Sequence, residues 1–389
     1  ATPRLLVRGI PDRALAALEG DDKDWTAKVK RRNKQERERP AEDTLFEASG
    51  VDVSTRALSA QLHDIEAPAQ DSIDDVRGRA RAWRRFDDSL DLRNAKLAAD
   101  AWAAAFVQRK FPEDGAGITS RTVHHLLREP GSIPDQLRFQ VEALAAEFQF
   151  FHWHLAFREV MAQGGFDVVL GNPPWEVVQL SEEEFFAAIS PQIAKLAGEA
   201  RKKAIAGLEK NNPRLWEKYN RELRRINAVA SFVRGSNRFP KTAFGKLNLY
   251  ALFAELSVSL SKNRVGIIVP TGIATDDGNK AFFGDLVSKK RLASLYDFEN
   301  RERIFPAVDS RMKFCLLTLG HDIPSATYVF FATLVDQLTD ERRRFSLSPE
   351  DVERINPNTR TAPVFRSKAD AELTRKIYSR MPVLIDENR

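Results

Sequence analysis

Sulfur is scarce in this chain: its 389 residues include one cysteine, Cys315, and three methionines. A lone cysteine excludes an internal disulfide and a cysteine-built zinc site, and it predicts a reducing, cytoplasmic setting. Long hydrophobic runs are missing too. The longest apolar stretch, Val265–Ala274, is interrupted by Pro270 and is far shorter than the roughly 20 residues of a membrane-spanning helix. No large excess of either charge exists: 60 Lys and Arg against 55 Asp and Glu leave a net +5, which permits a polyanionic partner without requiring one. Internal repeats and low-complexity tracts are absent. An initiator methionine and a targeting pattern are absent as well, and the opening Ala1-Thr-Pro reads as the start of a piece cut from a longer chain. What is present, 43% hydrophobic and 30% charged residues, is the composition of a globular chain with room for two or three domains.

The texture divides the chain. Residues 1–163 read as mainly helical. Asn94–Phe111 carries Leu97, Ala101, Trp102, Ala105 and Phe106 at helical spacing, and Gln140–Val160 repeats the pattern with Leu144, Phe148, Phe151 and Leu155. A glycine-rich break falls at Glu113–Gly117. The basic run from Ala27 to Arg39, with Lys28, Lys30, Arg31, Arg32 and Lys34, reads as the solvated face of a helix ending at Pro40; pairing with phosphates is the alternative. After Gly164-Gly165 the pattern changes to strands and helices in alternation, which argues for an α/β sheet. Phe166–Leu170 is predicted to be a buried strand with both faces covered, and further strands are predicted at Arg264–Val269, Leu292–Phe298, Lys313–Leu319 and Tyr328–Phe331. Asn248–Leu260 reads as an amphipathic helix, and the charged stretch Ser181–Arg225 as a helical insertion or lid. The expected layout is thus a helical region (1–163), a catalytic region (164–320, with an insertion near 181–240) and a connector (321–389) that closes with a helix around Ala369–Tyr378.

Asn172-Pro-Pro-Trp175 follows the predicted strand at Phe166 directly. The carboxyl ends of strands are where open α/β sheets bind ligands. Pro173 and Pro174 have fixed φ and no N–H, so such a loop is stiff and presents carbonyl oxygens. Asn172 adds a side-chain acceptor and Trp175 a broad apolar face. Two converging acceptors suit an exocyclic NH2 group, and a stacking face suits a flat heteroaromatic ring. Together they describe a pocket for an amino-bearing nucleobase; a rigid turn with tryptophan filling core is the plainer alternative.

Gly165-Phe-Asp-Val-Val-Leu-Gly-Asn-Pro-Pro-Trp175 resembles the catalytic motif of the gamma-type, TaqI-like adenine-N6 DNA methyltransferases. Later segments resemble the same family in the same order: Lys246–Phe253 the helix after the catalytic loop, Val265–Pro270 the next strand, and Ile304–Arg311 the segment whose aromatic residue closes on a flipped base. Phe151–Phe157 and Asn356–Arg366 are similar to segments of the large methylases of restriction-modification and of DISARM- and BREX-type phage defence. The resemblance covers roughly residues 150–380 and implies a partial Rossmann-like methyltransferase sheet with large helical insertions. It implies that Asn172 and the Pro173 carbonyl accept hydrogen bonds from the adenine N6 amine, that Asn172 and Pro174 also meet the cofactor S-adenosylmethionine, and that Trp175 and Phe305 sandwich the extruded base. Double-stranded DNA is the implied partner, with other subunits of a defence system.

The family's glycine-rich cofactor turn and its ribose-binding acid are not found upstream of Asn172. Phe111–Gly117 has the glycines but follows a predicted helix, so most of the cofactor site is expected before Ala1, and the chain alone is expected to be inactive. By the same resemblance, the strand at Phe166 is then left as an unprotected edge. Two other readings stand beside adenine methylation: methylation of protein glutamine or of RNA through the same loop, and a DNA-binding assembly module without catalysis. His152 and His154 read as structural residues and not as metal ligands, and Glu182, Glu183 and Glu184 as solvent-facing acids at a helix start. Asp276 and Asp277 read as a plain loop or the mouth of the site, and Arg234, Arg238, Lys241 and Lys246 as a basic surface or a DNA-facing loop.

Overall fold

The computed structural model describes residues 1–38, 56–67, 71–129, 131 and 133–385. These form two compact units: Ala1–Gln163 with Gln179–Asn237, and Gly164–Val178 with Arg238–Arg389. Arg39, Pro40 and Thr55 lie outside the described residues, so the helix end expected at Pro40 does too.

The first unit is helical and is built around Leu90–Val107, whose start is capped by the Ser89 hydroxyl accepting from the Leu92 N–H. Alanines fill this helix and let neighbours approach closely, so that from Leu97 onward it is buried on every side. It stops at Val107, short of the expected Phe111. Trp102 donates to the Gly9 carbonyl at 3.0 Å and, with Phe106 and Phe232, forms an aromatic cluster. The expected helix Gln140–Val160 is broken: Asp135–Phe148 ends at Gln149, whose φ of 52° is left-handed, and the Phe150 N–H turns back to the Ala145 carbonyl. Phe151 is consequently 54% exposed, and two short helices, Trp153–Ala156 and Arg158–Ala162, follow.

The stretch Ser181–Arg225, expected as a charged insertion, carries an apolar cluster of its own around Phe186, Ile205, Leu208 and Tyr219. Its helices Gly198–Asn211 and Pro213–Gly235 supply Arg224, which reaches the buried Asp21 at 2.8 Å. Lys110 faces the same carboxylate at 3.6 Å, and both side chains are fully buried. Burial lowers the Lys110 pKa to about 8 despite that partner.

The second unit holds a mixed six-stranded sheet. Its strands are β1 (Phe166–Gly171), β2 (Ser261–Pro270), β3 (Leu292–Glu299), β4 (Lys313–Leu319), β5 (Ala326–Ala332) and β6 (Phe345–Leu347), in the order β1-β2-β4-β3-β5-β6. β1 and β2 are parallel, as are β3 and β5; β4 runs against both β2 and β3, and β6 against β5. The chain is therefore α/β. Period-two alternation sorts the side chains. Val265, Ile267, Val269, Leu295, Cys315 and Leu317 pack on one face with Ala251, Ala254, Phe282 and Phe283 of the helices Leu249–Leu260 and Lys280–Ser288. Ile268, Tyr296, Phe298, Phe314 and Leu316 occupy the other face.

The expectation that Phe166–Leu170 is buried on both faces is corrected. β1 is an edge strand, with Val168 52% and Leu170 77% exposed, because it pairs only with β2 and nothing among the described residues covers its second face. Gly165 begins it at φ +115°, and a Cβ there would lie 2.3 Å from the Leu260 carbonyl oxygen, so only glycine fits this crossing. The tail beyond His321, expected as a connector, extends the sheet instead: β5 and β6 stack Tyr328, Phe330 and Phe345 into the same core. Helices Pro349–Ile355 and Lys368–Tyr378 bury Val352 and Ala371 there.

Candidate active site at the carboxyl edge of the sheet

The end of β1 turns into the Asn172–Trp175 loop, which is pinned on its far side. Val177 bridges to Asn248, the Val178 N–H donates to the Leu247 carbonyl at 2.9 Å, and the Leu249 N–H donates to the Glu176 carbonyl at 2.8 Å. Two prolines between these anchors restrict the loop further. Trp175 is half-buried and ties it to the sheet, its indole N–H donating to the Ile268 carbonyl at 3.3 Å. Asn172 is exposed, and its side-chain amide makes no hydrogen bond to any described residue.

Around Trp175 the rings assemble on Phe314. Trp175 stacks on it at 6.1 Å with the planes 28° apart, Phe298 stacks from elsewhere at 5.3 Å and 6°, and Phe305 meets it edge-on at 4.9 Å. Trp175 and Phe305 also meet, edge to face, at 5.9 Å and 78°. The structure thus brings these two predicted residues together, but not as an open sandwich. A base between two rings needs them near-parallel and about 7 Å apart, one van der Waals contact of about 3.5 Å on each side. In this geometry one ring has to turn before a base can enter.

Phe305 is held by a residue that sequence reasoning missed. Asn300 is fully buried, its Nδ2 donates to the carbonyls of Phe305 and Val308, both at 2.9 Å, and its Oδ1 accepts from the Phe305 N–H at 3.0 Å. One amide side chain thereby fastens the segment that carries Phe305. Phe314 was missed as well. Its signal was alternation: with Cys315 buried under the helices, Phe314 has to face the opposite side of β4. A third missed group is Asp297, buried on β3, which accepts from the Thr271 hydroxyl at 2.5 Å and the Phe331 N–H at 2.9 Å. Burial raises its pKa, against the lowering effect of these two bonds. It joins the turn after β2 to the end of β5.

Other singled-out residues are placed less centrally. Asp277 pairs with Lys280 at 2.9 Å, Lys241 pairs with Asp285, and Asp276 and Lys246 lie outside the aromatic cluster. In the helical unit, Glu182 accepts from the Tyr219 hydroxyl at 3.1 Å, and His152 binds Asp100 through Nε2 at 2.8 Å with its pKa lowered to about 4 by burial. Lys34 and Glu38 form an ion pair along helix Lys23–Glu38, as do Arg32 and Glu36.

For a methyl-donor cofactor the described residues form one wall only. Asn172 offers an unengaged amide, Pro174 no donor at all, and Gly171 has open space where a Cβ would be. Within the helical unit's glycine-rich segment Phe111–Gly117, a Cβ on Gly117 would strike the Trp25 ring at 2.7 Å, so this glycine serves packing, while Gly115 faces open space.

Residues 52–205, which include Asn172–Trp175, match the family model of the Eco57I restriction-modification methylase. No curated protein matches the chain. Among solved structures, a modification subunit of a putative type I restriction enzyme from Vibrio vulnificus YJ016 is 12% identical, with 67% of this chain and 69% of that chain covered and a TM-score of 0.25. The type I restriction-modification methyltransferase subunit from Streptococcus thermophilus is 12% identical, with 93% and 100% covered and a TM-score of 0.26. The type IIG restriction endonuclease BpuSI is 15% identical at a TM-score of 0.27, and the match spans 86% of this chain and 46% of that enzyme. Scores this low assign neither fold nor function. Over residues 52–205, with the proline-braced loop inside them, the chain is thus similar to the Eco57I restriction-modification methylases.

Proposed function

We propose that this chain carries the base-binding half of a DNA adenine-N6 methyltransferase of restriction-modification or phage-defence type. One observation carries the reading: Asn172 is presented unengaged at the carboxyl end of β1, on a loop anchored at both ends that also carries Trp175, whose ring meets Phe305. S-adenosylmethionine, when bound, supplies an electrophilic methyl group, and Asn172 and Pro174 would form part of its wall. The chain's own residues act on the base. Asn172 Oδ1 and the Pro173 carbonyl accept the two N6 hydrogens, and this favours the pyramidal, nucleophilic nitrogen of the transition state over the flat ground-state amine. Trp175 stacks on the extruded ring, and Phe305 turns aside to admit it. No strong general base is required. Residues 321–389, which complete the sheet, would also lead toward a target-recognition region, and further subunits would assemble on the protein.

The test is methyl transfer to duplex DNA by the full-length protein. Asn172→Ala should lower transfer by about 10²–10³-fold, the cost of losing one positioned polar group at a reacting centre, while DNA binding stays within a few-fold. Retention of most of the activity refutes the assignment, and transfer to protein glutamine or RNA with none to DNA transfers the same loop to those substrates.

A further inference from the structure

The carboxyl edge of the sheet holds a second cluster, four strands from β1. Phe331, next to last in β5, has φ +61°, a left-handed conformation that strains a bulky residue. The register between β3 and β5 slips at this place, between Tyr296 and Phe298, so Phe330 and Phe331 both pack toward the same core in place of alternating. Two contacts hold the strained residue: its N–H is bound by the buried Asp297, and its carbonyl accepts from Arg343 Nη1 at 3.4 Å. What the strain achieves is placement of the ring under two cations. Lys313 Nζ lies 4.8 Å from the ring centroid and the Arg366 guanidinium 4.4 Å from it.

Three cations therefore converge on one residue, and their local counter-charge is thin. Glu299 pairs with Lys313 at 3.1 Å but is shared with Arg301, and the buried Asp297 that also faces Lys313 is engaged by Thr271 and Phe331 and has its pKa raised by burial. Arg343 lies 3.9 Å from Asp340, which Arg342 also engages. Arg366 is exposed and has no carboxylate partner among the described residues. A cation-π contact carries no opposite charge, so the half-buried Phe331 ring orients these side chains without neutralising them. Lys313 immediately precedes Phe314, the ring on which Trp175 stacks. β4 is separated from β1 by β2 alone, two strand spacings of about 4.8 Å each, a distance of a few nucleotides along a DNA strand.

We propose that Lys313 and Arg366, oriented over Phe331 and backed by Arg343, bind backbone phosphates of the DNA strand that delivers its base to Asn172. The guanidinium suits a bidentate grip on phosphodiester oxygens, and the ammonium acts as a point charge beside it. This rests on the DNA reading above and names the surface that carries the flanking strand.

The experiment measures duplex affinity of the full-length protein against salt concentration. Each phosphate contact contributes about 0.7–0.9 to the slope of log K on log salt. Lys313→Gln with Arg366→Gln should reduce that slope by about 1.4–1.8, whereas Arg366→Lys, which keeps the charge, should retain the wild-type slope. Neutral methylphosphonates placed at the phosphates flanking the target adenine should weaken wild-type binding and leave the double variant unaffected; inorganic phosphate at matched ionic strength should not compete. An unchanged slope in the double variant overturns the proposal and leaves adenine methylation standing. Failure of the wild type to bind duplex DNA removes both.

Discussion

Two sets of polar groups, one in each unit, stand in contrast. In the helical unit three clusters are closed on one another: Asp21 is shared by Lys110 and Arg224, Asp100 by Lys96 and His152, and the buried Asn33 bonds the Ile10 carbonyl and the Ser120 backbone and hydroxyl. At the carboxyl edge of the sheet unit Asp297 and Asn300 are likewise bonded, but Asn172 is unengaged and Arg366 has no acid beside it among the described residues. Buried polar groups that satisfy each other specify a fold. Oriented groups that are left unsatisfied at a strand end have a ligand as their natural partner. Under the proposed function, the sheet edge would be the working surface and these closed clusters part of its scaffold.

The largest test of the contrast falls on the scaffold. Asp21→Asn leaves Lys110 and Arg224 without their carboxylate inside the protein, and should cost about 3–5 kcal/mol of stability by chemical denaturation. A loss below about 1 kcal/mol would mean that water reaches the cluster and that the helical unit is less closed than its geometry implies. A smaller effect is expected at the sheet edge. Asn300→Ala unfastens the Phe305 segment, and should lower stability by about 1–3 kcal/mol and abolish hydrogen-exchange protection of the Phe305 amide. If that amide stays protected, the segment is held by something other than Asn300.

The smallest effect is a pH dependence. Burial raises the Asp297 pKa above its ordinary 3.8, so the carboxyl favours folding most when protonated. Its contribution is complete below 3.8 and declines as pH rises through the elevated folded value. Asp297→Asn, which cannot ionise, should therefore gain stability relative to the wild type as pH rises from about 4, read as a widening gap in urea midpoints. A gap that narrows instead would mean that the Thr271 and Phe331 bonds outweigh burial.

Much of the fold was legible because period-two and helical spacing report burial directly. Arg264–Val269, Leu292–Phe298 and Lys313–Leu319 were readable as strands, and they form β2, β3 and β4. The break at Gln149 was not readable, since a glutamine in the left-handed region leaves no compositional mark. The burial of β1 was misjudged because Phe166–Leu170 has the apolar run of a central strand, while its position at the edge depends on which strands lie beside it. At the site, Asn172, the prolines and Trp175 were visible as a motif of adjacent residues. Asn300 and Asp297 were not, because each is an ordinary polar residue until folding brings its distant partners within bonding range.

The sequence by itself determined the local chemistry: a loop that proline stiffens, a tryptophan beside an amide, strands that alternate and a helix that alanine lets pack closely. Those properties follow from covalent geometry and from the period of each element. Only the tertiary structure decided that Phe305 meets Trp175 edge-on, that Phe314 underlies both, and that Phe331 is bent beneath Lys313 and Arg366. Such contacts join residues far apart in the chain, and their geometry is set by strand order and register, which no single segment encodes.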